Sequence, residues 1–216
     1  FMKAMILAAG KGSRLSPLTN KTPMPLLPIQ GRPLIDYIVK NLAREGYHEI
    51  IINLHHLGDQ IIEFLGDGSR YQVEITYSVE EELLETGGGI KKALNLLGNE
   101  PFLIVNGDIY TDFRFSDLPE QLGNNCLAHL VVRKNEDEDH GDFEIENSKI
   151  ISRGKSYTYC GIAVIDPKLF YDSPEGPFSW TRDWLFGLLG SHYFTAQEHK
   201  GRWVDIGTIE QYESLQ

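Results

Sequence analysis

Lys3-Ala4-Met5-Ile6-Leu7 runs straight into Ala8-Ala9-Gly10-Lys11-Gly12-Ser13-Arg14-Leu15, and this junction decides the fold. The first five residues form an apolar run long enough for a buried strand. A glycine- and proline-rich loop then extends from Ala8 to Pro33. Beyond it, Ile35, Ile38, Val39 and Leu42 fall at i, i+3, i+4 and i+7, one face of a helix. Glu49–Asn53 reads as a strand. Ile61, Ile62 and Leu65 suit a short helix, stopped by Gly66-Asp67-Gly68. Val73–Val79 alternates like a strand, and Ile90, Ala93, Leu94 and Leu97 return to helical spacing before Gly98. Phe102–Asn106 is a strand that leads into Gly107-Asp108. Strands alternating with helices predict an α/β fold, a Rossmann-like, mostly parallel sheet with helices on both faces. Ligands of such sheets bind beyond the carboxyl ends of the strands. The loops Ala8–Pro33 and Gly107–Thr111 are therefore where function is expected.

The second half is less regular. Cys126–Val132 and Tyr157–Ile165 read as strands, Phe143–Ile151 as a hairpin turning at Asn147, and Trp180–Leu189 as a helix. Glu136-Asp137-Glu138-Asp139 reads as a solvated turn. No repeat or linker interrupts the 216 residues, so residues 2–216 are read as a single domain. Phe1, ahead of Met2, reads as an addition and is left out of the fold reading.

Composition narrows the function classes. Twenty Lys+Arg against 31 Asp+Glu give a net charge of −11, a poor match for nucleic acid or anionic membranes. An anionic ligand must then be held by backbone donors, a few placed cations or a metal. No apolar run approaches the roughly 18 residues of a membrane span, and no signal peptide is recognisable. Cys126 and Cys160 stand alone without a C-x-x-C, as expected in a reducing compartment. A cytoplasmic protein, monomeric or a small homo-oligomer, is expected.

The glycine loop is not a P-loop, because the second glycine and the Lys-Ser/Thr pair are missing. It is not the dinucleotide fingerprint either, because Leu15 stands where the third glycine belongs. Gly10 and Gly12 nevertheless let the backbone approach a ligand and turn N–H groups toward phosphate oxygens. Lys11 and Arg14 add positive charge, and an arginine can grip two phosphate oxygens at once. The competing reading is a tight strand-exit turn carrying two surface cations. Asp108 and Asp205 are each flanked by apolar or small residues, 97 positions apart. A carboxylate from each could hold Mg²⁺, which takes a few carboxylates plus water and phosphate oxygens. Singly, each fits a turn cap, a helix cap or an ion pair equally well.

A longer pattern goes further. Leu-Ala-Ala-Gly-x-Gly-x-Arg-Leu, Pro-Leu-Thr, Thr-Pro-x-Pro-Leu-x-Pro and Gly-x-Pro-Leu-Ile occur in order within Leu7–Ile35. Leu84-Glu85-Thr86-Gly87-Gly88-Gly89-Ile90, Asn106-Gly107-Asp108 and Trp203-Val204-Asp205-Ile206-Gly207-Thr208 follow. The set, spread over nearly the whole chain, resembles the sugar-1-phosphate nucleotidyltransferases, and it implies the nucleotide-diphospho-sugar transferase type of fold. The resemblance implies that a sugar 1-phosphate attacks the α-phosphorus of a nucleoside triphosphate and displaces pyrophosphate. It assigns Arg14, Asp108 and Asp205 to catalysis, with Mg²⁺ held by the two aspartates. It places Leu7, Ala9, Gly10, Gly12, Ser13, Arg14, Gly87 and Gly88 at the nucleotide, and Asn106, Gly141 and Lys155 at the sugar phosphate. The Leu-Glu-Thr-Gly-Gly-Gly-Ile run and the Asn before Gly-Asp are most similar to members that join UTP to N-acetylmuramic acid α-1-phosphate in cell-wall recycling. A hexose or heptose 1-phosphate or phosphocholine are the other acceptors. No hexapeptide repeats occur, so no fused β-helix acyltransferase is expected.

Three positions depart from the family. Met24 stands where a phosphate-binding lysine is expected, and methionine neither carries charge nor donates a hydrogen bond. Lys21 is the nearest substitute. Lys155 does not cleanly match a second family lysine, and Phe178-Ser179-Trp180 lacks the lysine expected after the phenylalanine. These departures keep open a non-catalytic relative that binds a nucleotide sugar.

Overall fold

The computed structural model describes residues 2–136 and 140–216; Asp137–Asp139 of the acidic run lie outside the described residues. The chain runs β1 (Ala4–Leu7), a short β2–β3 hairpin (Pro28–Ile29, Arg32–Pro33), α1 (Leu34–Arg44), β4 (Glu49–Leu54), α2 (Gly58–Leu65), β5 (Glu74–Val79), α3 (Glu85–Leu97) and β6 (Phe102–Asn106). It continues through β7 (Ile109–Thr111), β8 (Cys126–Lys134), β9 (Phe143–Glu146), β10 (Lys149–Arg153), β11 (Tyr157–Ile165), β12 (Tyr193–Glu198), β13 (Trp203–Asp205) and α4 (Ile209–Glu213).

Nine strands form one sheet in the order β5-β4-β1-β6-β11-β8-β12-β10-β9. The first four are mutually parallel. β11 runs antiparallel to β6 and β8, β12 is parallel to β8, and β10 is antiparallel to β12 and β9. Only β11 and β10 therefore run against the rest, so the sheet is mixed in pairing but largely uniform in direction.

Alternation along the strands sends successive side chains to opposite faces. Ala4, Ile6, Ile50, Ile52, Leu103 and Val105 pack with Ile35, Ile38, Leu42 and Ile61 of α1 and α2. Met5, Ile51, Phe102 and Ile104 pack on the other face with Ile90, Ala93 and Leu97 of α3. Both faces are covered by helices, as the periodicity predicts. The hairpin turn also falls where expected: Asn147 and Ser148 both have positive φ, 50° and 61°, between Glu146 and its partner Lys149.

One predicted helix is different in kind. Trp180–Trp184 forms a π-helical turn and Leu185–Leu188 a 3₁₀ turn rather than an α-helix. Trp180 is buried and Trp184 donates through Nε1 to the Leu169 carbonyl at 2.7 Å, so two indoles only four residues apart are both held against the same apolar cluster. Gly187 and Gly190 add no helix propensity after them.

Candidate active site

The carboxyl ends of β1, β4 and β6 open onto one cleft of about 470 Å³. Leu7, Ala9, Gly10, Gly12, Ser13, Arg14, Asn106 and Asp108 all line it. The glycine loop forms its floor. Gly12 has φ +63°, and a Cβ there would lie 2.9 Å from Thr19 Cγ2 and 3.2 Å from Met24 Cβ, so only glycine fits. Thr19 Oγ1 donates to the Gly12 carbonyl at 2.7 Å and fixes the turn. Gly10 faces open space. The N–H groups of Ala9, Gly10, Lys11 and Gly12 have no protein acceptor among the described residues. Free amides beside a cleft are ready donors to phosphate oxygens.

The two aspartates are joined by β-pairing. β13 runs antiparallel to β7 with Asp205 opposite Ile109, and Ile206 N–H donates to the Asp108 carbonyl at 2.9 Å. Asp108 and Asp205 are thereby brought together from opposite ends of the sequence. Burial pushes both carboxyls above their usual range. At Asp108 the negative charge of Asp205 adds to this, and the Arg14 guanidinium opposes it. Asp108 Oδ1 is buried with no hydrogen-bond partner. Two crowded carboxylates with an orphaned oxygen are costly without a cation. Among the described residues no cluster of three or more His, Cys, Asp or Glu could enclose a metal. The donor set thus fits Mg²⁺, which keeps most of its ligands as water and phosphate, and does not fit an all-protein cage.

Other expected site residues lie elsewhere. Gly87 and Gly88 are buried in the first turn of α3 and do not line the cleft. A Cβ at Gly87 would strike the Phe178 ring, and one at Gly88 the Gly176 carbonyl. The Gly87 N–H donates to the Phe178 carbonyl at 2.8 Å, so it is not free for a base edge. Gly89 lies against Asn53 and Glu80, where a Cβ would be 2.8 Å from both side chains. The glycine triplet is therefore a docking surface for the Gly176–Phe178 segment and for the end of β4. Gly141 packs against the Lys155 backbone, and Lys155 is exposed; neither lines the cleft, and neither does Lys21. Asn106 Oδ1 is buried without a partner at the cleft wall.

The cleft also holds residues that the sequence reading missed. Asn53, at the end of β4, accepts from Ala8 N–H at 2.8 Å and donates to Glu80 Oε2 at 2.8 Å. Its signal was present as a polar residue closing the run Ile50-Ile51-Ile52 at the functional edge of the sheet. Glu85, Thr86, Ser179 and Arg182, from the start of α3 and the turn that docks on it, also line the cleft.

The chain matches the nucleotidyl transferase family over residues 3–153. It belongs to that family. Over 221 residues it is 42% identical to N-acetylmuramate α-1-phosphate uridylyltransferase of Neisseria meningitidis serogroup B, covering 96% of this chain and 94% of the relative. The protein of the same name in Caulobacter vibrioides is 28% identical, covering 94% and 91%. The crystal structure of HddC from Yersinia pseudotuberculosis superposes with a TM-score of 0.85 at 26% identity, covering 100% of this chain and 98% of the other. That protein has also been solved in complex with GMP-PN. The matched span of this family member contains the glycine loop, Asn106 and Asp108; Asp205 lies beyond it.

Proposed function

We propose that this nucleotidyltransferase joins UTP to N-acetylmuramate α-1-phosphate with release of pyrophosphate, as a step in cytoplasmic recycling of cell-wall sugars. The names of the Neisseria and Caulobacter relatives support the pair of substrates. Two unpaired, buried cysteines support a reducing compartment. The observation that carries the chemistry is the orphaned Asp108 oxygen beside Asp205, in a cleft floored by free glycine-loop amides.

Both reactants are anions, so the barrier is dominated by repulsion and orientation. The amides of Ala9–Gly12 and the Arg14 guanidinium hold the triphosphate and receive the charge that grows on the leaving pyrophosphate. Asn106 lines the same cleft, and its partnerless Oδ1 would accept a hydrogen bond from a substrate hydroxyl or amide. Mg²⁺ held by Asp108 and Asp205 would supply charge neutralisation between the two phosphates. No side chain needs to form a covalent intermediate.

The test is pyrophosphate release over a matrix of nucleoside triphosphates and sugar 1-phosphates, with and without Mg²⁺. UTP with N-acetylmuramate α-1-phosphate should give the highest kcat/KM. A better hexose or heptose 1-phosphate would move the assignment to another acceptor. Silence across the matrix together with tight binding of a nucleotide sugar would favour the non-catalytic relative, the reading that uncharged Met24 keeps in view. Asp108→Asn and Asp205→Asn should each abolish turnover.

A further inference from the structure

Among the described residues that line the cleft, only Arg14 and Arg182 carry positive charge. Arg14 belongs to the glycine loop and feels both Asp108 and Asp205. Arg182 comes from the separate Trp180–Trp184 turn tied to the start of α3, and the triphosphate chemistry above assigns it no role. We propose that Arg182 is the acceptor-binding cation, gripping an oxyanion of the sugar 1-phosphate and selecting acceptors that carry a second negative charge. The inference rests on the nucleotidyl-transfer reading above and deepens it.

Its backbone is fixed while its side chain is not. Arg182 N–H donates to Ser179 Oγ at 3.2 Å, and Ser179 N–H donates to Asp183 Oδ2 at 2.8 Å. Trp180, fully buried against Tyr159 at a ring separation of 5.6 Å, anchors this turn. Trp180 N–H ties it to Thr86 Oγ1 at the start of α3. The guanidinium is 66% exposed. Its carboxylate neighbours are loose: Glu85 at 4.0 Å and Asp183 at 3.6 Å, each about half exposed. Exposed pairs at such distances contribute little, so a bound oxyanion replaces them at small cost. A guanidinium offers a planar two-pronged grip that suits both phosphate and carboxylate. N-acetylmuramic acid 1-phosphate has both groups, whereas N-acetylglucosamine 1-phosphate has only the phosphate.

The experiment is steady-state kinetics of wild type, Arg182→Ala and Arg182→Lys with these two acceptors and UTP. Arg182→Ala should raise the acceptor KM about 10- to 100-fold and leave the UTP KM and the melting temperature unchanged. Arg182→Lys should restore part of the loss. A loss confined to the muramic acceptor assigns the contact to its carboxylate and supports the selection; an equal loss on both assigns it to the 1-phosphate and overturns the selection. A shift in the UTP KM alone, or no shift at all, overturns the proposal. Should the wild type turn over no acceptor, nucleotidyl transfer fails, and calorimetry with UDP-N-acetylmuramic acid becomes the readout. Weaker binding by Arg182→Ala then supports the arginine's role, and equal binding or none by the wild type overturns it.

Discussion

Met24 is 5% exposed, with its Cβ close against Gly12, and it lines the cleft beside the glycine loop. A lysine in its place would run its stem through the same apolar channel and deliver an ammonium beside the free loop amides. In a water-poor site such a charge acts more strongly than in bulk water. It would meet growing negative charge on the leaving group, so the gain belongs in kcat. Met24→Lys is expected to raise kcat by up to about 10²–10³, at a stability cost of about 1–3 kcal/mol from disturbed packing. Kinetics paired with thermal melting check both halves, and an unchanged kcat would show that the loop amides and Arg14 already suffice. The aspartate pair makes a second prediction at this scale. Asp108→Asn or Asp205→Asn removes one of two repelling, buried carboxylates. Either variant should melt higher than wild type without metal while losing turnover, and should lose the rise in melting temperature that Mg²⁺ gives the wild type. A variant that melts lower and keeps its Mg²⁺ response would make that aspartate a structural group.

Between residue and molecule lies the link from β4 to the cleft walls. Glu80, 2% exposed just after β5, accepts from Asn53 at 2.8 Å and from Leu84 N–H at 3.1 Å. Asn53 in turn holds Ala8 N–H at the root of the glycine loop. One carboxylate thus sets the spacing between the loop after β1 and the segment before α3. The two donors use different carboxylate oxygens, and a glutamine at position 80 would put an NH2 donor in place of one of them. Glu80→Gln should cost about 1–3 kcal/mol of stability and raise the KM for nucleotide. A loss of melting temperature with unaltered KM would mean that the link is structural only. Elements of this kind separate what was legible from what was not. Helices α1 and α3 announce themselves by period, because each buries one face, and β5 by alternation; β1, β4 and β6 are short apolar runs buried on both faces. β12 escaped, because only Phe194 and Ala196 of Tyr193–Glu198 are buried. Its other face is a polar ladder in which His129 pairs with Thr195 at 2.7 Å and Gln197 at 2.6 Å. The loops after β1 and β6 were legible as functional from their place in the sheet, and Arg14 and Asp108 as candidate site residues within them from the family resemblance. Arg182 was not, since its position depends on a π-turn docked to a helix almost a hundred residues earlier.

At the scale of the whole molecule, acid is the informative stress. The chain has 31 acidic residues and a pI near 5.1, and most of the described carboxylates are exposed or half-buried. Asp36 is different. It is 7% exposed in the first turn of α1, where it binds three parts of the layer that covers one sheet face. Arg32 of the β2–β3 hairpin reaches its Oδ2 at 2.6 Å, Lys40 lies 3.2 Å away on the next helical turn, and Tyr71 donates to Oδ1 at 2.8 Å from the segment before β5. Burial alone would push the Asp36 carboxyl up. The hydrogen bonds from Arg32, Tyr71 and Lys40 outweigh it and hold the carboxyl below its ordinary value of 3.8. The sign of the linkage follows from that direction. A depressed folded-state value means that the unfolded chain takes the proton first, so the clamp stabilises fully above the unfolded value. Its contribution fades as pH falls below about 3.8 and is gone once pH has passed beneath the folded value. Asp36→Asn keeps the shape, removes the charge and leaves Arg32 and Lys40 facing a neutral amide. It should cost about 1–3 kcal/mol at neutral pH. Urea unfolding at stepped pH would then show the wild-type and Asp36→Asn curves separated by a constant gap above pH 5 and closing below pH 4. A gap that persisted unchanged into strong acid would mean that packing around α1, rather than the ionised clamp, sets the difference.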